Sequence, residues 1–298
     1  SLEAKHRTLW GLGDYAAIAT DLVAPLGPVL VTAAGISPDQ RVLDVAAGTG
    51  NTALAAASVG ADVMATDLVS QLLQTGARTA AERGLKVSWR TANAEALPFA
   101  DGEFDAAVSS IGIMFAPHHR QAAGELVRVC RPGGTIGVLS WTPDGFVGQM
   151  LSAMRPFVPA PPAGVSPPTY WGDEDYVRAL LGDAVDSVVV TKGALRVDRF
   201  CDGAQFRDYF KANYGPTISA YRAIADDPGR TAELDTVLAD LGDAALAADV
   251  GWLMQNLRWD LAADLERLLP AGIVQPLLRK NAAQTEGVLI DDEDETAT

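Results

Sequence analysis

The sequence predicts a doubly wound α/β fold, a mostly parallel sheet covered by helices on both faces. Three observations predict it. Between Arg41 and Trp141 short apolar runs alternate strictly with helical periods. The first run empties into a glycine loop, Gly48-Thr49-Gly50, that opens a helix. The 298 residues are 48% apolar, enough to bury the core of one large α/β domain or one domain with an elaboration.

The elements follow in order. Residues 1–36 read as a helical lead-in, with Leu9, Leu12, Ala16 and Ala19 near helical spacing and Pro25, Gly27 and Pro28 as punctuation. The first strand is Val42-Leu43-Asp44-Val45-Ala46, followed by an Ala-rich helix over about 52–59. The second is Asp62 to Thr66, and the next helix carries Val69, Leu72, Leu73, Ala77 and Ala80 on one face. Strands three and four run from Lys86 to Arg90 and from Phe104 to Ser109. A helix then aligns Ala122, Ala123, Leu126, Val127 and Cys130 before strand five, Thr135 to Leu139. Strand and helix in strict alternation are the pattern of a parallel sheet covered on both faces. Seven prolines between Pro143 and Pro168 predict a stiff extended connection rather than a helix. A helix over 173–181 and a strand around Val188-Val189-Val190 come next. Beyond Phe200 the pattern turns helical, and Leu253, Leu257, Leu261, Leu265 and Leu268 form one stripe, read as a core or dimer face. A homodimer is therefore one expected assembly.

Thirty-eight acidic against 23 basic side chains give a net charge of −15. Five of the acids, Asp291 to Glu295, sit in the last eight residues, which predicts a disordered acidic tail over 291–298. The balance excludes nucleic acid and anionic membrane surfaces as partners, since both need clustered Lys and Arg. Two distant cysteines, Cys130 and Cys201, make no disulfide framework and predict a reducing, cytoplasmic setting. No Cys/His spacing reads as a metal site, and no apolar run is long enough to span a membrane. The first residues lack a signal-peptide apolar region, and a start on Ser1 rather than Met predicts a trimmed start.

The glycine loop carries the chemistry. Glycines between a buried strand and a helix let backbone approach a ligand at the positive helix end. The bare pattern Gly48-x-Gly50-x-x-Ala53 also satisfies a dinucleotide fingerprint. Two acids sharpen it. Asp44 lies inside the first strand, where a buried carboxylate needs either a cationic ligand or loop amides as partner. Asp67 follows the second strand, where a carboxylate can take both hydroxyls of a ribose or cap the next helix.

Five segments together resemble the class I S-adenosylmethionine-dependent methyltransferases, small-molecule type, similar to the ubiquinone and menaquinone biosynthesis C-methyltransferases. They are Val42 to Gly50, Ala65-Thr66-Asp67-Leu68, Ala92 to Phe99, Phe104 to Ser109, and Arg128 to Gly134, in order over residues 38 to 142. The resemblance implies a Rossmann-like fold of seven strands, the last antiparallel, with S-adenosyl-L-methionine as cofactor. It divides the chain into a lead-in or lid (1–36), a cofactor-binding domain (37–200), a helical substrate-side or interface region (201–290) and the tail. It implies that backbone at Ala46, Gly48 and Gly50 holds the methionine part, with Asp44 near its ammonium. Asp67 would bind the ribose, Leu68 would pack on the adenine, and Asn93 and Ala94 would meet the adenine edge. Ser110 would border the transferring methyl. Asn93 stands where relatives usually carry Asp, and an amide can still face the adenine. From Asp240 onward helices are predicted in place of the final strand, since Gly287-Val288-Leu289-Ile290 is too short to supply it.

A sulfonium-borne methyl is already electrophilic, so alignment of the nucleophile is the main requirement and no metal is needed. His118 is the weak candidate for a base, with His118 and His119 otherwise read as a helix cap and a solvated ring. Trp10 and Tyr15 could lid the pocket. Tyr209, Phe210 and Tyr214 could line it, although aromatics at helical spacing fit core packing better. The apolar content predicts a small hydrophobic acceptor. Two other readings are an NAD-dependent oxidoreductase and a binding protein that kept the cofactor fold without chemistry.

Overall fold

The computed structural model of the protein describes residues 1–245 and 250–257. Three short helices lead in: α1 (Leu2–Trp10), α2 (Tyr15–Asp21) and α3 (Leu26–Ala33). Ser1 and Asp14 cap the first two through their side-chain oxygens. The alternating unit then runs β1 (Arg41–Val45), α4 (Asn51–Ser58), β2 (Asp62–Asp67), α5 (Ser70–Glu82), β3 (Val87–Thr91), β4 (Phe104–Ser110), α6 (His119–Val129) and β5 (Cys130–Trp141). The chain continues through α7 (Phe146–Met154), α8 (Glu174–Leu181), β6 (Val189–Leu195), α9 (Gly203–Asn213), α10 (Gly215–Ala223), α11 (Pro228–Ala245) and β7 (Val250–Leu257).

The seven strands form one sheet of order β3-β2-β1-β4-β5-β7-β6. The first five pair in parallel, and β7 pairs antiparallel with both β5 and β6. The order reverses between β1 and β4, so the carboxyl ends of those two strands open a crevice between them. The central strands are buried on both faces. Val42, Leu43, Ala106, Ala107 and Val108 have no exposed surface, as the apolar runs require.

Two expectations are corrected. The proline-rich stretch contains a helix, α7, because its prolines flank the apolar run Phe146 to Met154 instead of interrupting it. The C-terminal region is helical only as far as Ala245, and the antiparallel strand expected to be missing is β7. A leucine every fourth residue suits a helical stripe, but the gap between β5 and β6 has backbone groups on both sides to satisfy. Strand pairing from Ile136↔Leu257 to Trp141↔Trp252, and from Val189↔Asn256 to Leu195↔Val250, fills it. The rest of the stripe (Leu261, Leu265, Leu268), Gly287–Ile290 and the acidic tail lie outside the described residues. No single helix among the described residues is long and apolar enough to cross a membrane.

Gly50 shows how the loop is held. Its φ of +82° lies in the left-handed region, and it caps α4. A Cβ there would stand 2.5 Å from the Trp89 ring, which packs under the loop from β3. Gly50→Ala is expected to cost about 2 kcal/mol or more, combining the left-handed penalty with displacement of Trp89. A lower urea midpoint at unchanged slope would show it.

Candidate active site

The crevice is built from β-strand ends. After β1 the chain passes through Ala46 (φ +53°) and Gly48 (φ +57°) before Gly50 starts α4. After β4, Ile111 also has a positive φ of +66°. A left-handed conformation is unusual at alanine and an outlier at a β-branched residue, so this strain marks the site. Ser109 ties the two strand ends together. Its hydroxyl donates to the Val45 carbonyl (2.6 Å) and accepts from the Ile113 amide (3.0 Å). Gly112 is tight for the same reason, since a Cβ there would run into the Ala46 carbonyl oxygen.

Both acids sit on this floor. Asp44 is 1% exposed, and its Oδ2 accepts the Ala53 amide at 2.9 Å. Its Oδ1 is buried with no hydrogen-bond partner among the described residues. Burial pushes the carboxyl up to about 8, against the Ala53 amide that lowers it, with Asp67 raising it further. Asp67 accepts the Gly48 amide on Oδ2 and the Val69 amide on Oδ1, each at 2.8 Å. It therefore braces the glycine loop and starts the turn into α5, while burial raises its pKa. Asp67 is not the N-cap of α5, a position held by Val69, so its side chain serves the loop and the turn rather than the helix end.

A cavity of about 950 Å³, its open mouth included, runs over these residues. Asp44, Ala46, Gly48, Asp67, Leu68, Asn93, Ala94 and Ser110 all line it. Gly50 does not, because it turns away beneath the loop onto Trp89. Asn93 has its amide engaged, with Oδ1 accepting the Glu95 amide (2.9 Å) and Nδ2 donating to Glu3 on α1 (3.3 Å). His118 lies outside the lining, and its ring pairs with Glu95 at 3.0 Å, 44% exposed. It stands at the N-cap position of α6, one residue beyond Pro117 of the cavity wall, and Glu95 holds its ring. His119 is fully buried between the Met114 carbonyl and the Tyr176 hydroxyl (3.1 Å each), and burial lowers it to about 4, so it stays neutral. Neither histidine is placed as a base.

Sequence reasoning missed His6, Leu72 and Gly112 on the wall. Of these only Gly112, a glycine just past a strand end, carried a readable signal. Trp10 and Tyr15 do cover the cavity, and the Tyr15 ring stands 3.4 Å from where a Gly48 Cβ would be.

A second cavity, about 810 Å³ with its mouth, adjoins the first. Trp10, Tyr15, Val23 and Phe115 belong to both walls. Its other residues include Phe146 and Met150 of α7, Leu195 of β6, and Phe206, Phe210 and Tyr214 around α9. None of its 18 lining residues is charged. Tyr209 is not among them, since its hydroxyl is turned to Asp21 at 2.9 Å.

A seven-stranded sheet of this order, with a glycine loop after β1 and acids at the ends of β1 and β2, is the architecture of the class I S-adenosylmethionine-dependent methyltransferases, and the chain belongs to that class. The methyltransferase-domain family matches residues 42–134. An uncharacterized protein of Mycobacterium tuberculosis (strain H37Rv) is 54% identical over 250 residues, 84% of this chain and 91% of that one, and this chain is a member of its family. Demethylmenaquinone methyltransferase of Renibacterium salmoninarum is 39% identical over 118 residues, 40% of this chain and 48% of that enzyme. Among solved structures, the YcgJ protein of Bacillus subtilis superposes with a TM-score of 0.53 at 19% identity, over 78% of this chain and 98% of that one. These findings set aside both the oxidoreductase reading and that of a binding protein without chemistry.

Proposed function

We propose that this methyltransferase alkylates a small hydrophobic acceptor held in the second cavity. The carrying observation is that a chamber whose described lining is uncharged and half aromatic shares a wall with the cofactor cavity. The residues of the first cavity fit S-adenosylmethionine. The unpartnered Asp44 Oδ1 suits the ammonium group, directly or through water. The Asp67 carboxylate keeps lone pairs for the ribose hydroxyls beyond its two amide bonds. Leu68 offers an apolar face to the adenine, and Asn93 and Ala94 stand at its edge. Ala46 and Gly48 bring backbone against the methionine part, and Ser110 borders the methyl.

The bound cofactor supplies an electrophilic methyl on a positive sulfur, which takes the nucleophile's electron pair while the sulfur–carbon pair stays on sulfur. The chain's work is to align and to exclude water. Trp10 and Phe115, 4.6 Å apart between ring centroids, stand in the wall that the two cavities share. Among the described residues the apolar wall carries no carboxylate, imidazole or amine. The two cysteines are free, which suits the cytoplasm.

Methyl-labelled S-adenosylmethionine offered with mixed acceptors tests the reading. Label is expected in the organic extract. Met150→Trp, which fills the chamber, is expected to lower that transfer by tenfold or more, roughly the effect of misplacing a substrate. Label appearing only on polar acceptors would overturn the proposal.

A further inference from the structure

The protein has six tyrosines, and their hydroxyls divide sharply. Tyr209 donates to Asp21 (2.9 Å), Tyr221 donates to Asp235 (2.6 Å), and Tyr176 meets His119 (3.1 Å). Tyr170 is exposed to water. The remaining two, half-buried Tyr15 and buried Tyr214, have no hydrogen-bond partner among the described residues, and both line the apolar chamber. Neither hydroxyl is sealed in the core, so each is accessible and has no protein partner, free to pair with a bound molecule.

Their position is specific. Both rings pack edge-on to Trp10, Tyr15 at 5.6 Å and Tyr214 at 5.9 Å between centroids. Trp10 in turn packs on Phe115 in the wall shared with the cofactor cavity. Apart from Trp10 and Trp141, Tyr15 and Tyr214 are the only residues among the described lining whose side chains carry an oxygen or nitrogen. Burial pushes Tyr15 up to about 12, with Asp67 adding to it, and pushes Tyr214 up as well, with Tyr15 adding to it. Both phenols therefore keep their protons at neutral pH and present donors.

Resting on the hydrophobic-acceptor reading, we propose that Tyr15 and Tyr214 are specificity-determining residues that hydrogen-bond the oxygen of the acceptor. The acceptor is an uncharged, ring-bearing molecule with a hydroxyl or ketone oxygen at the end that meets the shared wall. Its apolar body fills the space between α7 and α9. Donor hydroxyls match a ketone or phenol oxygen. An ammonium group would find no carboxylate among the described residues of this wall, so cationic amines are disfavoured. A site that pairs a substrate oxygen discriminates against the analogue that lacks it, because its own hydroxyls are then left unpaired.

Binding of three probes to the full chain, saturated with S-adenosylhomocysteine, tests this by the probes' own fluorescence anisotropy. The probes are 2-naphthol, naphthalene and 2-naphthylmethylamine. Wild type is expected to hold 2-naphthol about tenfold more tightly than naphthalene, the order of one or two added hydrogen bonds, and the amine more weakly than either. Tyr15→Phe and Tyr214→Phe are each expected to narrow the naphthol-to-naphthalene ratio, and the double variant to erase it, while naphthalene binding stays. Equal wild-type affinities for naphthol and naphthalene would overturn the tyrosine assignment with the chamber intact, and this comparison needs no variant. Variants that lose both probes alike would overturn it as well, by making the hydroxyls structural. Naphthalene and naphthol both failing to bind would overturn the apolar-chamber reading and this one with it.

Discussion

Asp44→Asn is expected to weaken S-adenosylmethionine binding by about a hundredfold, the order for removing the charged partner of a buried cation. Asp44 is already engaged on one oxygen by the Ala53 amide, and the other oxygen is buried and unpaired. Without a ligand, burial holds the carboxyl at about 8, so it is protonated at pH 7. A cationic ligand favours the anion and displaces that proton. Wild-type affinity is therefore expected to rise by about tenfold per pH unit below pH 8, then to fall as the ligand's α-ammonium, with a pKa of about 8, deprotonates. Calorimetry at pH 7 in buffers of different ionisation enthalpy should read close to one proton released, and none for the Asn variant. Wild-type-like affinity in the variant would remove Asp44 from the ammonium site.

The same group sets a stability trend of opposite sense. The folded carboxyl keeps its proton up to about 8, whereas the unfolded one loses it near 3.8. Between these values the folded state binds more protons, so the ligand-free protein loses stability as pH rises. Asp44→Asn escapes that loss, and its melting temperature is expected to gain on wild type between pH 5 and 8, as thermal unfolding at several pH values would show.

Asp67→Ala is expected to abolish measurable cofactor binding and to destabilise the fold together. One carboxylate accepts the Gly48 amide of the loop after β1 and the Val69 amide at the start of α5. Truncation leaves both amides without their acceptor, a loss on the order of 3 kcal/mol for two bonds to a charged group. For a chain of this size that lowers the melting temperature by roughly 6–12 °C. The ribose contact is lost with it. Asp67→Asn keeps one acceptor oxygen and is expected to fall between the two. Unchanged affinity in the Ala variant would sink the ribose assignment. Unchanged melting temperature would show that the loop does not depend on its brace.

How much of this was legible from residues alone divides along a physical line. Val42 to Ala46 and Phe104 to Ser109 read as buried parallel strands because short, mostly apolar runs alternate with helical segments, and burial of both bears this out. Asp44 and Asp67 were legible as site residues because their chemistry is anomalous where they stand. Gly50 and His118 lie off the cavity wall for a common reason. A motif position says which loop a residue belongs to, and the direction in which that loop presents it depends on neighbours such as Trp89 and Glu95.

The sequence by itself determined the βαβ frame and the strand-end crevice, since each is encoded within a few residues of local pattern. Only the tertiary structure decided that Val250–Leu257 is a strand. That depended on an opening between β5 and β6 that exists only once the sheet has formed. It alone also decided that Tyr15, Phe115 and Tyr214 all pack on Trp10. These side chains come from four parts of the chain, and no periodicity within any one of them records which others it will touch.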